Sequence, residues 1–251
     1  MLPPSVVVVR KIRNADATPD AATRETGTYP VNNRRETTGS LARLTGDAPQ
    51  TYPEGTSPVP EELIVDAIKA MHERRSIRAY ESRPVPRAVI EELLWAAVQA
   101  PTPPVSGPAP WAVCVLEDAQ RLATYGARAK EYARTHQPEG KHWTWPERPE
   151  FEVFWDAPAL VLICAKSGNP ETPYDCCRAG QNLVVAAHAR GIGTCWIGAP
   201  IPWLRSPGIA IELGLPQGYE AEVAITLGYP AETPSGAPRP RPAIHWLTPR
   251  A

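Results

Sequence analysis

The sequence predicts an α+β sandwich, a central sheet flanked by helices. Three observations carry this: four short strand-like apolar runs, amphipathic segments of helical spacing between them, and Pro or Gly punctuation at most boundaries. The first helical pattern spans Glu61 to Glu73, with Leu63, Ile64, Ala67, Ile68 and Met71 on one face, and runs into Arg74-Arg75. Pro84-Val85-Pro86 is an extended lead-in, with Pro86 suited to a first helical position. Arg87 to Ala100 then repeats Val89/Ile90, Leu93/Leu94 and Ala97 on one face, and Pro101 ends it.

A Pro-rich connection, Pro101 to Pro110, leads into Trp111 to Leu116, a strand by its β-branched and aromatic content. Ala119 to Arg134 reads as an amphipathic helix. His136 to Trp155 has no period but holds Trp143, Trp145, Phe151, Phe154 and Trp155. Leu160 to Cys164 is a continuous apolar run, as in a strand buried on both faces. Asp175 is the expected cap of a helix from Cys176 to Arg190, closed by Gly191. Thr194 to Ile197 is a short strand with Trp196 expected in the core, Ile209 to Leu213 a small helix, and Glu222 to Leu227 the last strand.

Length allows one or two domains, and composition favours one folded body, residues 59–251, with an extended tail from about 231. Residues 1–58 mix Pro, Thr, Arg, Asp and Gly around one apolar block, Val6 to Val9, and are expected to form a disordered or draped extension. No run is long enough to span a bilayer, and Val6 to Val9 is too short for a secretory signal, so a cytoplasmic location is expected. A formal charge of -1 gives no electrostatic reason to expect nucleic acid or membrane as a partner. The five cysteines, an odd number lying mostly in apolar runs, argue against a disulfide framework. Cys176, Cys177, His188 and Cys195 lack paired zinc-ligand spacing, so no metal is expected.

The chemistry concentrates in Arg74-Arg75-Ser76-Ile77-Arg78. Three guanidinium groups and a hydroxyl within five residues suit a phosphate monoester, because arginine offers forked donors that match phosphate oxygens in pairs and never loses its charge. A solvated helix end is the plain alternative.

Three blocks then occur in order: Arg74 to Tyr80 with Pro84-Val85-Pro86 and the helix through Ala100-Pro101; Asp175 through Gln181-Asn182-Leu183 to Gly191-Ile-Gly-Thr-Cys-Trp-Ile-Gly198; and Glu212 to Pro216 with Ile225 to Pro230. Over roughly residues 60 to 241 the chain resembles the FMN-dependent nitroreductase family. The resemblance implies a nitroreductase-like sandwich with a mostly antiparallel or mixed sheet, and a homodimer whose two FMN sites lie at the subunit interface. It implies that Arg74, Arg75 and Ser76 face the phosphate and ribityl chain, and that Arg78 faces the pyrimidine edge, where reduction places negative charge. Arg239 or Arg241 would complete the phosphate site from the tail. Gly191, Gly193 and Thr194 would pass along the ring, with a backbone N–H or the Thr194 hydroxyl donating to N5.

Relatives commonly carry Ala-Pro-Ser, an Asn, then Gln-Pro-Trp. Here Ala100-Pro101-Thr102 leads through three further prolines to Ala109-Pro110-Trp111, about two residues longer and without the Asn. Thr102 stands in for the serine, and Ser106 is the candidate for the role of the missing Asn. The tryptophan-rich stretch suits either a lid over a flat apolar substrate or a plug for the body. The implied activity is ping-pong hydride transfer from NADH or NADPH, through the flavin, to a nitroarene, quinone or enone, with no side chain assigned a catalytic role. A flavin-dependent dehydrogenase or oxidase tailoring a natural product, and a non-catalytic flavin-binding protein, are the alternatives.

Overall fold

The structure, a computed structural model, describes residues 7–9, 66–140, 142–236 and 239–247. In chain order the elements are β1 (Val7–Val9), α1 (Ala67–Glu73), α2 (Arg87–Ala97), β2 (Trp111–Leu116), α3 (Ala119–Thr135), β3 (Ala159–Lys166), α4 (Thr172–Ala189), β4 (Gly193–Trp196), α5 (Ile201–Leu204), α6 (Pro207–Leu213) and β5 (Tyr219–Gly228). The strands form one sheet in the order β1-β2-β3-β5-β4, and every neighbouring pair is antiparallel. The expected α+β sandwich is the observed fold.

The alternation of strand side chains divides the core in two. Val113, Val115, Val161, Ile163, Val223, Ile225 and Leu227 face Ile90, Leu93 and Leu94 of α2 and Cys176, Ala179, Leu183 and Val184 of α4. Their strand neighbours Cys114, Leu116, Leu160, Leu162, Cys164 and Ala224 face Leu122, Tyr125 and Ala129 of α3, together with Val153, Phe154, Trp203 and Leu204. Both faces of the sheet are therefore covered, which explains why β3 reads as an unbroken apolar run rather than an alternating one. Cys114, Cys164, Cys176 and Cys195 are buried free thiols and Cys177 is an exposed one. No helix among the described residues is long and apolar enough to cross a membrane.

Several features differ from the sequence expectation. Helix α1 starts at Ala67, capped by Asp66, rather than at Glu61, and residues 61–65 of the expected helix lie outside the described residues. The short helix α5 was not expected. A fifth strand, Val7–Val9, pairs with β2 at the sheet edge, and it comes from the one apolar block of the N-terminal extension. The rest of residues 1–58 lies outside the described residues. Helix α4 begins a turn before the expected cap, because Pro173 fits the first turn and the Thr172 hydroxyl donates to the Lys166 and Asn169 carbonyls at 2.8 and 2.9 Å. Asp175 therefore does not cap: it lies inside the first turn, fully buried, and pairs with Arg178 at 2.5 Å. Trp196 is 38% exposed rather than core, because it ends an edge strand and lays its ring against Gly180 of α4.

The close approach at Gly193 fixes the next segment of interest. A Cβ there would sit 2.9 Å from Cγ1 of Ile77, a buried residue with little room to retreat. Gly193→Ala is expected to cost about 1–3 kcal/mol by overpacking. The check is a lower urea midpoint with an unchanged slope.

Candidate functional site

The chain leaves α1 at Arg74 and becomes extended, with φ -53° and ψ 131°. From there it is fastened to the sheet at successive points. Ser76 forms a parallel bridge with Thr194 of β4, and the Ile77 N–H donates to the Thr194 carbonyl at 2.9 Å. Ile77 packs onto Gly193. The Tyr80 hydroxyl reaches the Ile77 carbonyl and Thr226 Oγ1, each at 2.8 Å, and burial pushes its phenol well above the usual range. Beyond β5, Ala231 N–H donates to the Ala79 carbonyl at 2.9 Å, and Glu232 accepts the Arg78 backbone N–H at 2.5 Å. With Ile77 turned inward by this attachment, the arginines on either side of it are left to line a surface depression.

That depression is a cavity of about 690 Å³ lined by Met71, His72, Arg74, Arg75, Ser76, Arg78, Pro234, Ser235, Gly236 and Arg239. Its size is ordinary for a small-molecule site. Arg75 is oriented by donating Nη1 to the His72 and Arg74 carbonyls at 2.7 and 2.9 Å. The tail lies so close to it that a Cβ on Gly236 would collide with the guanidinium. No carboxylate lines the cavity, and among the described residues none of its four arginines forms an ion pair. Elsewhere arginines are matched to acids: Arg87 to Glu117, Arg128 to Glu212, Arg148 to Glu150 and Arg205 to Glu222. Burial, then repulsion from Arg239 and Arg75, hold the Arg74 guanidinium below arginine's ordinary pKa. An anion in the cavity reverses that repulsion, so the arrangement is chemically a receptor for a multiply charged oxyanion.

The structure thus brings together Arg74, Arg75, Ser76, Arg78 and Arg239. Arg241 is exposed and does not line the cavity. Gly191, Gly193 and Thr194 lie behind Ser76 rather than in the lining: Thr194 is buried, and Gly191, at φ 67°, ends α4 with its N–H on the His188 carbonyl at 3.0 Å. Thr102 and Ser106 do not line it either. Their loop makes a short turn of 3₁₀ helix at Pro104–Ser106, braced by Asn169 Nδ2 on the Val105 carbonyl at 2.9 Å. Ser106 is buried, and its Oγ has no partner among the described residues. Met71, His72, Ser235 and Gly236 were not anticipated as lining. For the first two the signal was available, since they occupy the last turn of the helix that delivers Arg74.

A second, smaller cavity of about 240 Å³ adjoins through Arg78, which lines both; its other walls are Ala79, Tyr80, Glu150, Glu152, Trp155 and Asp156. The Arg78 guanidinium lies 5.7 Å from the centroid of the Trp155 ring. Trp155 and Asp156 have φ of 57° and 53°. Consecutive non-glycine residues in the left-handed region each cost of order 1–3 kcal/mol. Trp145, Phe151 and Trp155 are partly buried against the second core, so these aromatics serve as a plug for the body.

Burial holds the His188 imidazole below its usual range; Glu73 opposes this, and Arg74 and Arg75 add to it. With the folded value depressed, the unfolded chain takes up the proton first as pH falls. The group's contribution to stability is complete above the unfolded pKa and is lost as pH drops through it toward the folded value. Inorganic phosphate in the cavity should offset the two arginines, so the NMR titration midpoint of His188 is expected to rise when phosphate is added.

Comparison with known proteins gives the family and the fold. The family model for the nitroreductase family matches residues 71–229. A Methanothermobacter thermautotrophicus protein named "Putative NADH dehydrogenase/NAD(P)H nitroreductase" is 30% identical over 180 residues, covering 68% of this chain and 80% of that protein. Two solved structures share the fold: a nitroreductase with bound FMN from Bacteroides fragilis (TM-score 0.61, 23% identity, 71% of this chain and 96% of that one) and one from Desulfitobacterium hafniense (TM-score 0.62, 21% identity, 72% and 98%).

Proposed function

Because this chain belongs to the nitroreductase family, we propose that it is an FMN-dependent oxidoreductase. In this reading it passes hydride from NADH or NADPH to a flat, conjugated acceptor of the nitroarene, quinone or enone class. The observation that carries the reading is the cavity with four arginines and no acid. A dianionic phosphate monoester is the ligand that such a lining favours most. FMN has that group at the end of a polyhydroxyl chain, for which Ser76 and Ser235 supply hydroxyl partners. Bound there, FMN would supply the two-electron chemistry.

The protein's own contribution is positional and electrostatic. Arg74, Arg75 and Arg239 would hold the phosphate, with Ser76 beside them. Arg78, at the boundary of the two cavities, would set positive charge near the ring. Reductant and acceptor would take turns at one site, the ping-pong order, which predicts parallel double-reciprocal plots.

We further propose that the working form is a homodimer with the site shared between copies. Thr102 is exposed and does not line the cavity of its own chain, and α1 leaves Ile68 and Met71 61% and 53% exposed, Met71 in the cavity lining. Light scattering on the purified protein should report twice the chain mass. A monomer that still binds flavin tightly would overturn the shared site.

The test of the cofactor is direct. Protein purified from cells should be yellow and release FMN, not FAD, on denaturation. Arg74→Ala removes one charge-assisted contact, worth about 1.5–3 kcal/mol, and should weaken FMN binding about ten- to a hundredfold. Rapid bleaching of the bound flavin by NADH or NADPH in a stopped-flow instrument supports the reductase reading. A flavin that binds but is not reduced by either favours the oxidase or the binding-protein alternative.

A further inference from the structure

We propose that Trp155 is a positioning residue for Arg78: its indole face holds the guanidinium at the boundary of the two cavities without neutralising it. This rests on the reading of the larger cavity as a flavin site, and extends it to a residue outside that cavity's lining. The argument starts from what Arg78 does not do. Three carboxylates, Glu150, Glu152 and Asp156, line the smaller cavity beside it, yet none pairs with its side chain among the described residues. Glu150 is taken by Arg148 at 2.8 Å, and Glu232 is taken by the Arg78 backbone N–H rather than by the guanidinium. A carboxylate partner would hold the side chain but cancel its charge toward the larger cavity. An aromatic face holds a cation through its quadrupole and leaves the net charge intact.

The surroundings of Trp155 suit that task. Its backbone is left-handed, as is that of Asp156, a conformation that persists only where the surroundings over-determine it. The ring meets Phe151 edge-on at 5.1 Å and 68°, and Phe151 in turn meets Trp145 at 5.2 Å. The indole is thereby braced from the body while Arg78 lies over it. Of the aromatics between His136 and Trp155, it is the one that touches an arginine of the cavity.

The experiment uses the FMN-loaded protein and four variants: Trp155→Phe, Trp155→Leu, Arg78→Ala, and Arg78→Ala combined with Trp155→Phe. The readouts are the dissociation constant for FMN and the flavin's midpoint potential from dye-coupled equilibrium reduction. Trp155→Leu should weaken FMN binding roughly two- to fivefold, the equivalent of an exposed cation–π contact, and move the potential to a more negative value. Trp155→Phe should do the same to a smaller degree, and should have no further effect once Arg78 is alanine. The proposal is overturned if Trp155→Phe acts with undiminished effect in the Arg78→Ala background. It is also overturned if Trp155→Leu changes neither readout while Arg78→Ala changes both. If Trp155→Leu does not fold, the cycle built on Trp155→Phe decides alone. A wild-type protein that binds no FMN overturns both this proposal and the flavin reading; additive effects in a protein that does bind it overturn this one only.

Discussion

Everything at the site depends on the attachment of residues 76–80 to the end of the sheet. Ile77 donates to Thr194, sinks its side chain against Gly193, and is locked from the far side by the Tyr80 hydroxyl on its own carbonyl. These contacts are apolar burial and backbone hydrogen bonding, and they make no use of the arginines. Their effect is to commit the flanking guanidinium groups to one small region. Two unit charges about 4 Å apart repel by about 4 kcal/mol at the effective dielectric of a protein surface, less where water screens them. The fold supplies the force that holds like charges together, and an oxyanion is what relieves it.

That division of labour sets the cavity arginines apart from those that meet acids among the described residues. On the outer surfaces they meet acids across or along elements, as Arg128 meets Glu212 and Arg87 meets Glu117, where pairing keeps charge balanced and costs the fold little. In the cavity the acids are absent from the lining, and the Glu232 carboxylate close by accepts a backbone N–H, that of Arg78. A chain with almost no net charge therefore carries one strongly positive hollow. Composition alone, which sums over the molecule, conceals it.

The sequence made the sheet, most helices and the arginine cradle legible, because each is encoded locally. Leu160 to Cys164 reads as doubly covered sheet, and Gly191 and Gly214 mark helix ends by needing left-handed backbone. Arg74, Arg75, Ser76 and Arg78 are consecutive or nearly so, so their convergence needed no tertiary information. Arg239 came together with them only because the tail passes Gly236 over Arg75, a choice between it and Arg241 that spacing could not make. Asp175 misled because an acid before an apolar run resembles a cap, whereas Thr172 and Pro173 had already started the helix. Trp155 was invisible as a partner of Arg78, since the contact spans 77 residues and depends on two left-handed backbone angles that neither a Trp nor an Asp announces.

The tail sharpens the argument about what the cavity is for. Residues 232–236 and 239–247 form no regular element, and Ile244, Trp246 and Leu247 are exposed, so little core burial ties this stretch down. Arg239 nonetheless joins three other cations, where its charge works against Arg74. A lone cationic tail gains nothing from such a position, because repulsion and lost chain entropy both oppose it. An anion bound between α1, the extended segment and the tail changes the sign of that balance and stabilises the folded chain by mass action, by about 2.7 kcal/mol at a hundred times its dissociation constant. Cofactor binding and the docking of the tail are then one equilibrium, with the arginines as its shared term.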